Sequence, residues 1–237
     1  VLHASTERFH AALRAGLAFV AGNRLLVTMA CIVGGWQMCH NIALVVQILF
    51  ATRELGLTAG GVGLSYIALG VGTIIASTLG HRLANRLGPG PTLVVGLAVC
   101  AGGWLLGALA PGNALGKFVF AAMLTAFGVG ATLVFITFLA LRQAATPAPL
   151  LGRMTSTMRW LILLPAGPGA LLGGWIGEHV GLRYALAVAG FLCLLVALVA
   201  WRQPVIRHMR KLPMASGAHR AADAQSVPDT QPGEYVP

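Results

Sequence analysis

Apolar residues run along most of this chain in long unbroken stretches. They show neither the two-residue alternation of a half-exposed strand nor the one-sided stripe of a surface helix. Six stretches stand out, at 25–50, 59–80, 91–110, 116–141, 157–177 and 182–201, and each has at least 20 residues. A helix rises about 1.5 Å per residue, so roughly 20 residues cross the hydrocarbon core of a bilayer. The pattern predicts six transmembrane helices, and continuous rather than alternating apolar runs favour helices over a β-barrel. The first and fourth stretches have 26 residues each and are expected to tilt or project beyond the lipid. Between the stretches lie Gly56, Gly88-Pro89-Gly90-Pro91, Pro111-Gly112-Asn113, Pro147-Ala148-Pro149 and Gly181, all turn-forming.

Composition supports this and removes the alternatives. Hydrophobic residues make up 57% and charged residues 9% of the 237 positions, against about 25% charged in a soluble domain. So few charges cannot cover a soluble surface, which excludes a cytosolic enzyme. The net charge of +10 is spread along the chain rather than gathered in one arm, so no nucleic-acid partner is expected. Its placement sets the orientation instead. Thirteen of the sixteen Lys and Arg residues fall on one side: Arg8, Arg14, Arg24, Arg82, Arg86, Arg142, Arg153, Arg159, Arg202, Arg207, Arg210, Lys211 and Arg220. Arg53, Lys117 and Arg183 fall on the other. By the positive-inside rule both termini are expected in the cytoplasm.

The chain divides into three parts on this reading. In residues 1–24, Phe9, Leu13, Leu17 and Val20 recur at helical spacing, as in an amphipathic helix on the cytoplasmic face or an ordinary linker helix. No signal-peptide order is present, and a start at Val1 reads as a non-standard start codon or a cut from something longer. Residues 25–201 form the membrane bundle. Residues 202–237 are basic and then rich in Pro, Ala, Ser, Gly, Asp and Gln, a composition expected to be disordered.

Candidate chemistry is sparse. Cys31, Cys39, Cys100 and Cys193 all lie inside predicted spans without metal-ligand spacing, so neither a metal nor a cofactor is expected. On the first span Gln37, His40 and Gln47 follow one helical face, with Asn41 at its border. Polar side chains in lipid are costly, so this face is expected to line a wet pathway or bond a neighbouring helix. Thr125 and Thr132 offer a weaker match on the fourth span, since threonine commonly bonds its own backbone. On the fifth span Gly169, Gly173 and Gly177 repeat every four residues, a pattern that lets two helices approach closely. Pro165 and Pro168 precede them and predict a kink. An intramembrane hydrolase is disfavoured. Ser65 and His81 are separated by 16 residues, about 24 Å on one helix, whereas a nucleophile and its base must touch.

The run Gly80-His81-Arg82-Leu83-Ala84-Asn85-Arg86-Leu87-Gly88 resembles the G-x-x-x-D-R-x-G signature of the major facilitator superfamily. That signature lies on the cytoplasmic loop between the second and third helices of each six-helix half. Asn85 stands here in place of its Asp, and Pro89-Gly90 in place of its basic pair, a degraded form typical of second halves. Gly16 to Val20 with Asn23 to Leu26 is similar to the amphipathic lead-in to the seventh helix of efflux members. Leu151-Gly152-Arg153-Met154 through Arg159 looks like the loop before the eleventh helix, and Pro168 to Gly174 resembles that helix. The resemblance spans about residues 7 to 211 and is closest in flavour to the siderophore and macrolide exporters.

The resemblance implies an all-α polytopic protein whose six helices are one half-bundle, the C-terminal half of a twelve-helix transporter in a bacterial inner membrane. It implies a small-molecule substrate, proton-coupled antiport, and an N-terminal six-helix half from the same gene product or a partner chain, all within membrane lipid. It also implies a cavity lined by the first and fourth spans, where Gln37, His40, Asn41, Gln47, Thr125 and Thr132 lie. A non-transporting six-helix scaffold, or a core that dimerises, remains the alternative reading.

Overall fold

A computed structural model describes residues 17–146 and 151–207. Residues 17–22 are helical (α1) and lead through Asn23 into α2, Arg24–Arg53. There follow α3 (Ala59–Leu87), α4 (Pro89–Ala108), α5 (Ala114–Ala144), α6 (Leu151–Leu163), α7 (Ala166–His179), α8 (Leu182–Arg202) and α9 (Pro204–Arg207). Six helical segments are long and apolar enough to cross a membrane, α6 and α7 together supplying the fifth as Met154–His179. The described residues contain no strand.

Local chemistry explains where these helices begin and turn. The Asn23 side chain accepts from the backbone N–H of Leu25 and Leu26, Thr58 accepts from Gly61, and Asn113 accepts from Gly116. Each satisfies donors that the first helical turn leaves without partners. The positive φ values among described residues fall on Gly56, Gly88 and Gly181, at 61°, 90° and 131°. These are the turns that the sequence marks, and a side chain there would be strained.

Helix limits differ from the sequence reading in three places. The second helix does not stop at Gly80 but runs to Leu87, so the signature-like run is helical up to the turn at Gly88. Residues 151–156, expected as a loop, belong to α6. Packed structure also continues past residue 201, because α9 buries Ile206 at the start of α4, where a Cβ on Gly90 would strike the Ile206 carbonyl oxygen. In the first two cases helix extends beyond the apolar run, and in the third a separate short helix packs after the break at Gln203, none of which hydropathy registers. The stretches 1–16 and 208–237, with the amphipathic and disordered readings made for them, lie outside the described residues.

The fifth span is interrupted at Leu164 and Pro165. Pro165 and Pro168 lack N–H groups, so the carbonyls of Leu161 and Leu164 lose their i+4 donors. Pro168 falls within the first turn of α7, where a missing donor costs little, and the break sits at Pro165.

Neighbouring helices pair in the order α7–α2–α8–α4–α5–α3. This order maps onto itself when the first three spans are exchanged with the last three, the signature of an internal repeat. Glycines make the approaches close. Cβ atoms on Gly72 and Gly128 would strike the carbonyls of Thr125 and Leu69, joining α3 to α5 from both sides. Gly96 and Gly130 do the same for α4 and α5. Packing of this kind, rather than apolar burial, drives helix association in lipid. α2 and α5 meet in few places, and the space between them is where the candidate site lies.

Candidate functional site

The polar residues of α2 have distinct surroundings. Gln47 is buried, and its Nε2 donates to the Tyr66 hydroxyl of α3 over 2.9 Å. His40 stands in an aromatic column, its ring stacked on Phe127 of α5 at 4.8 Å and 8°, and on Trp36 at 5.7 Å and 11°. Trp104 of α4 extends the column, 6.3 Å from His40. The imidazole thus ties three spans together through ring contacts. Asn41 donates from Nδ2 to the Gln37 carbonyl of its own helix, a local bond that leaves other neighbours unengaged. The face predicted from spacing therefore holds a helix–helix hydrogen bond, an aromatic stack and a self-bonded amide.

Gln37 lies on a cavity of about 480 Å³ between α2, α5 and α6. The α5 wall carries Phe135, Ile136, Phe138, Leu139 and Arg142, and the α6 wall carries Thr155, Arg159, Ile162 and Leu163. Phe135 also makes an edge contact with Trp36 at 5.3 Å, linking this cavity to the His40 column. The Arg142 guanidinium sits 5.5 Å from the Phe138 ring centre, and its Nε is buried without a hydrogen-bond partner. The volume falls within the range of small-molecule sites, which combine apolar walls with a few placed polar groups.

Thr125 and Thr132 are half-buried and donate to the carbonyls of Ala121 and Gly128 on their own helix. The Ser65 hydroxyl likewise donates to Gly61, and Ser65 and His81 share the single helix α3.

Within the signature-like run, Gly80 is buried, and a Cβ there would stand 3.1 Å from Leu133 of α5. Arg82 and Arg86 edge an apolar groove between α3, α4 and α5, Asn85 is exposed, and Gly88 makes the turn. Register corrects one assignment. Counting back from Asn85-Arg86-Leu87-Gly88, the first glycine of the signature falls on His81, and Gly80 precedes it by one residue. The glycines of α7 lie against α2: Cβ atoms on Gly169 and Gly173 would come within 2.5 Å of the carbonyl oxygens of Met38 and Ile42. At Gly177 the nearest atom is instead the flexible Val46 side chain, at 2.9 Å.

Sequence reasoning passed over Arg142, Thr155 and Arg159 as site residues, counting the arginines only as cytoplasmic charge. The available signal was the lack of any acid near them: Glu54 and Glu178 are the only carboxylate side chains among the described residues. It also missed Arg183, which reaches Glu54 across 129 positions of sequence.

Residues 25–226 match the Major Facilitator Superfamily. No curated protein matches the chain. With most of its 237 residues inside that match and six helices able to span a bilayer, the chain belongs to the major facilitator superfamily, whose members are membrane transporters.

Proposed function

We propose that this chain is the C-terminal half of an exporter in a bacterial inner membrane, moving small organic molecules out of the cytoplasm by proton-coupled antiport. Its resemblance to the siderophore and macrolide exporters supports the direction. The thirteen-to-three division of basic residues supports termini on the cytoplasmic side. An N-terminal six-helix half completes the cavity from the open side of α2 and α5. The observation that carries the reading is the cavity itself: Gln37 at membrane depth, facing the α5 wall where the two helices part. His40 and Gln47 hold α2 against its neighbours, the first through Phe127 of α5 and the second through Tyr66 of α3, and Gln37 meets the substrate.

Cysteine accessibility tests this. With Cys31 and Cys39 replaced, Gln37→Cys is expected to react with a small charged thiol reagent at least about 10-fold faster than Gln47→Cys, because only the first faces water. Phe191→Cys supplies the control. Phe191 is 60% exposed on α8, on the lipid side of this reading, where a charged reagent does not partition. Equal rates at 37 and 191 would remove the wet cavity.

A further inference from the structure

Two arginines line one cavity, and among the described residues no carboxylate lines it with them. Arg142 comes from the last turn of α5 and Arg159 from α6, joined there by the Gln37 amide and the Thr155 hydroxyl. General membrane rules account for part of this. Cations collect at the cytoplasmic edge, and a cation at a helix C-terminus suits the dipole. Neither rule brings a half-buried Arg142 and an exposed Arg159 to one shared space lined by Phe135 and Phe138. The two described carboxylates offer no neutralisation. Glu54 ends α2 at the opposite end of the bundle and is engaged by Arg183, and Glu178 is exposed near the end of α7. Arg142 keeps a buried Nε–H with no acceptor, a cost that a bound acceptor would remove.

We infer that this cavity is an anion site, and that the substrate class is a small organic acid carrying an aromatic or otherwise apolar body. The carboxylate or phosphate group bonds the two arginines, the fork of Arg being suited to planar oxyanions. Thr155 and Gln37 supply neutral donors, and the rings of Phe135 and Phe138 take the apolar body. The site rests on the transporter reading only for its purpose. As a binding site it stands on the geometry of the cavity.

The test uses the full chain in nanodiscs of zwitterionic lipid, with naphthoate and naphthylmethylammonium as probes of equal shape and opposite charge. Equilibrium dialysis is expected to show saturable naphthoate binding, weakened by salt, with no competition from the ammonium. Arg142→Gln and Arg159→Gln should each weaken it about 10-fold, the worth of one hydrogen bond to a charged group. Adding Thr155→Asp to the double Arg→Gln variant, which leaves one negative and no positive charge in the cavity, should reverse the preference, rejecting naphthoate and admitting the ammonium, a gain that misfolding cannot imitate. Equal binding of both probes, or undiminished naphthoate binding in the well-folded double Arg→Gln variant, would overturn the anion site. Loss of naphthoate binding when anionic phosphatidylglycerol is added would assign the arginines to a lipid headgroup and overturn the small-acid reading. Naphthoate counterflow in proteoliposomes that hold the chain together with its N-terminal half separates this inference from the transport proposal: Arg-dependent binding without flux leaves the site and removes transport, whereas Arg-independent flux does the reverse.

Discussion

Replacing Gly173 by leucine is expected to destroy the packing of α7 on α2 while leaving the span in the membrane. A Cβ at that position would stand 2.5 Å from the Ile42 carbonyl oxygen and 2.7 Å from the Ile42 Cα. Both are backbone atoms of a long helix, so no rotamer change relieves the clash and the two helices must separate. Overpacking costs about 1–3 kcal/mol where side chains can shift, and contact with backbone places this case at or beyond the upper end. Helix association in lipid has no hydrophobic reserve to offset that loss. The adjacent Gly174 is the internal control, because nothing lies within 4 Å of a Cβ built there. Thermal unfolding in detergent should therefore show a large loss for Gly173→Leu and almost none for Gly174→Leu. Equal behaviour of the two would mean that α7 is not seated on α2.

The second large effect is at the other end of α2. Arg183 opens α8, donates from Nε to Glu54 Oε2 over 2.5 Å, and lies 5.3 Å from the Phe50 ring centre. Its Nη1 donates to the carbonyls of Ala108 and Ala110, where α4 ends and leaves acceptors without partners. An arginine in the first turn of a helix is poorly placed for the dipole, so its contacts with α2 and α4 must outweigh that. The ion pair alone contributes little, with the side chains 36% and 29% exposed. The carbonyl bonds carry more. Arg183→Gln is expected to cost about 2 kcal/mol, and Glu54→Gln about half that or less. Arg183→Lys should resemble the Gln change, since an ammonium cannot span Glu54 and the α4 carbonyls together. If Glu54→Gln proved as damaging as Arg183→Gln, the ion pair rather than the cap on α4 would be the source of stability.

These two contacts mark what can be read from the sequence and what cannot. Six spans were legible because burial in lipid demands apolar length, and their turns because Gly56, Gly88 and Gly181 must take positive φ. The glycine repeat of the fifth span was visible as spacing, but not the identity of its partner, nor that Gly177 meets a yielding side chain while Gly169 and Gly173 meet backbone. The polar face of α2 was legible as polar positions only. Periodicity places Gln37, His40 and Gln47 on a surface, yet Tyr66, Phe127 and the α5–α6 arginines decide what each one does. Those neighbours arrive from other helices, and pairing across helices leaves no trace in the hydropathy of either. The Glu54–Arg183 pair was invisible for the same reason, since two charges at separate span ends read as loop residues.

Proton-driven export from the cytoplasm is the central claim, and it is tested most directly in inside-out membrane vesicles from cells expressing the protein. With an acid-inside gradient imposed, vesicles should accumulate naphthoate above those lacking the protein. A protonophore should abolish the accumulation, and Gly173→Leu, which breaks the bundle, should remove it as well. Accumulation that is unchanged by the protonophore, or no greater than in vesicles without the protein, would contradict proton-coupled export.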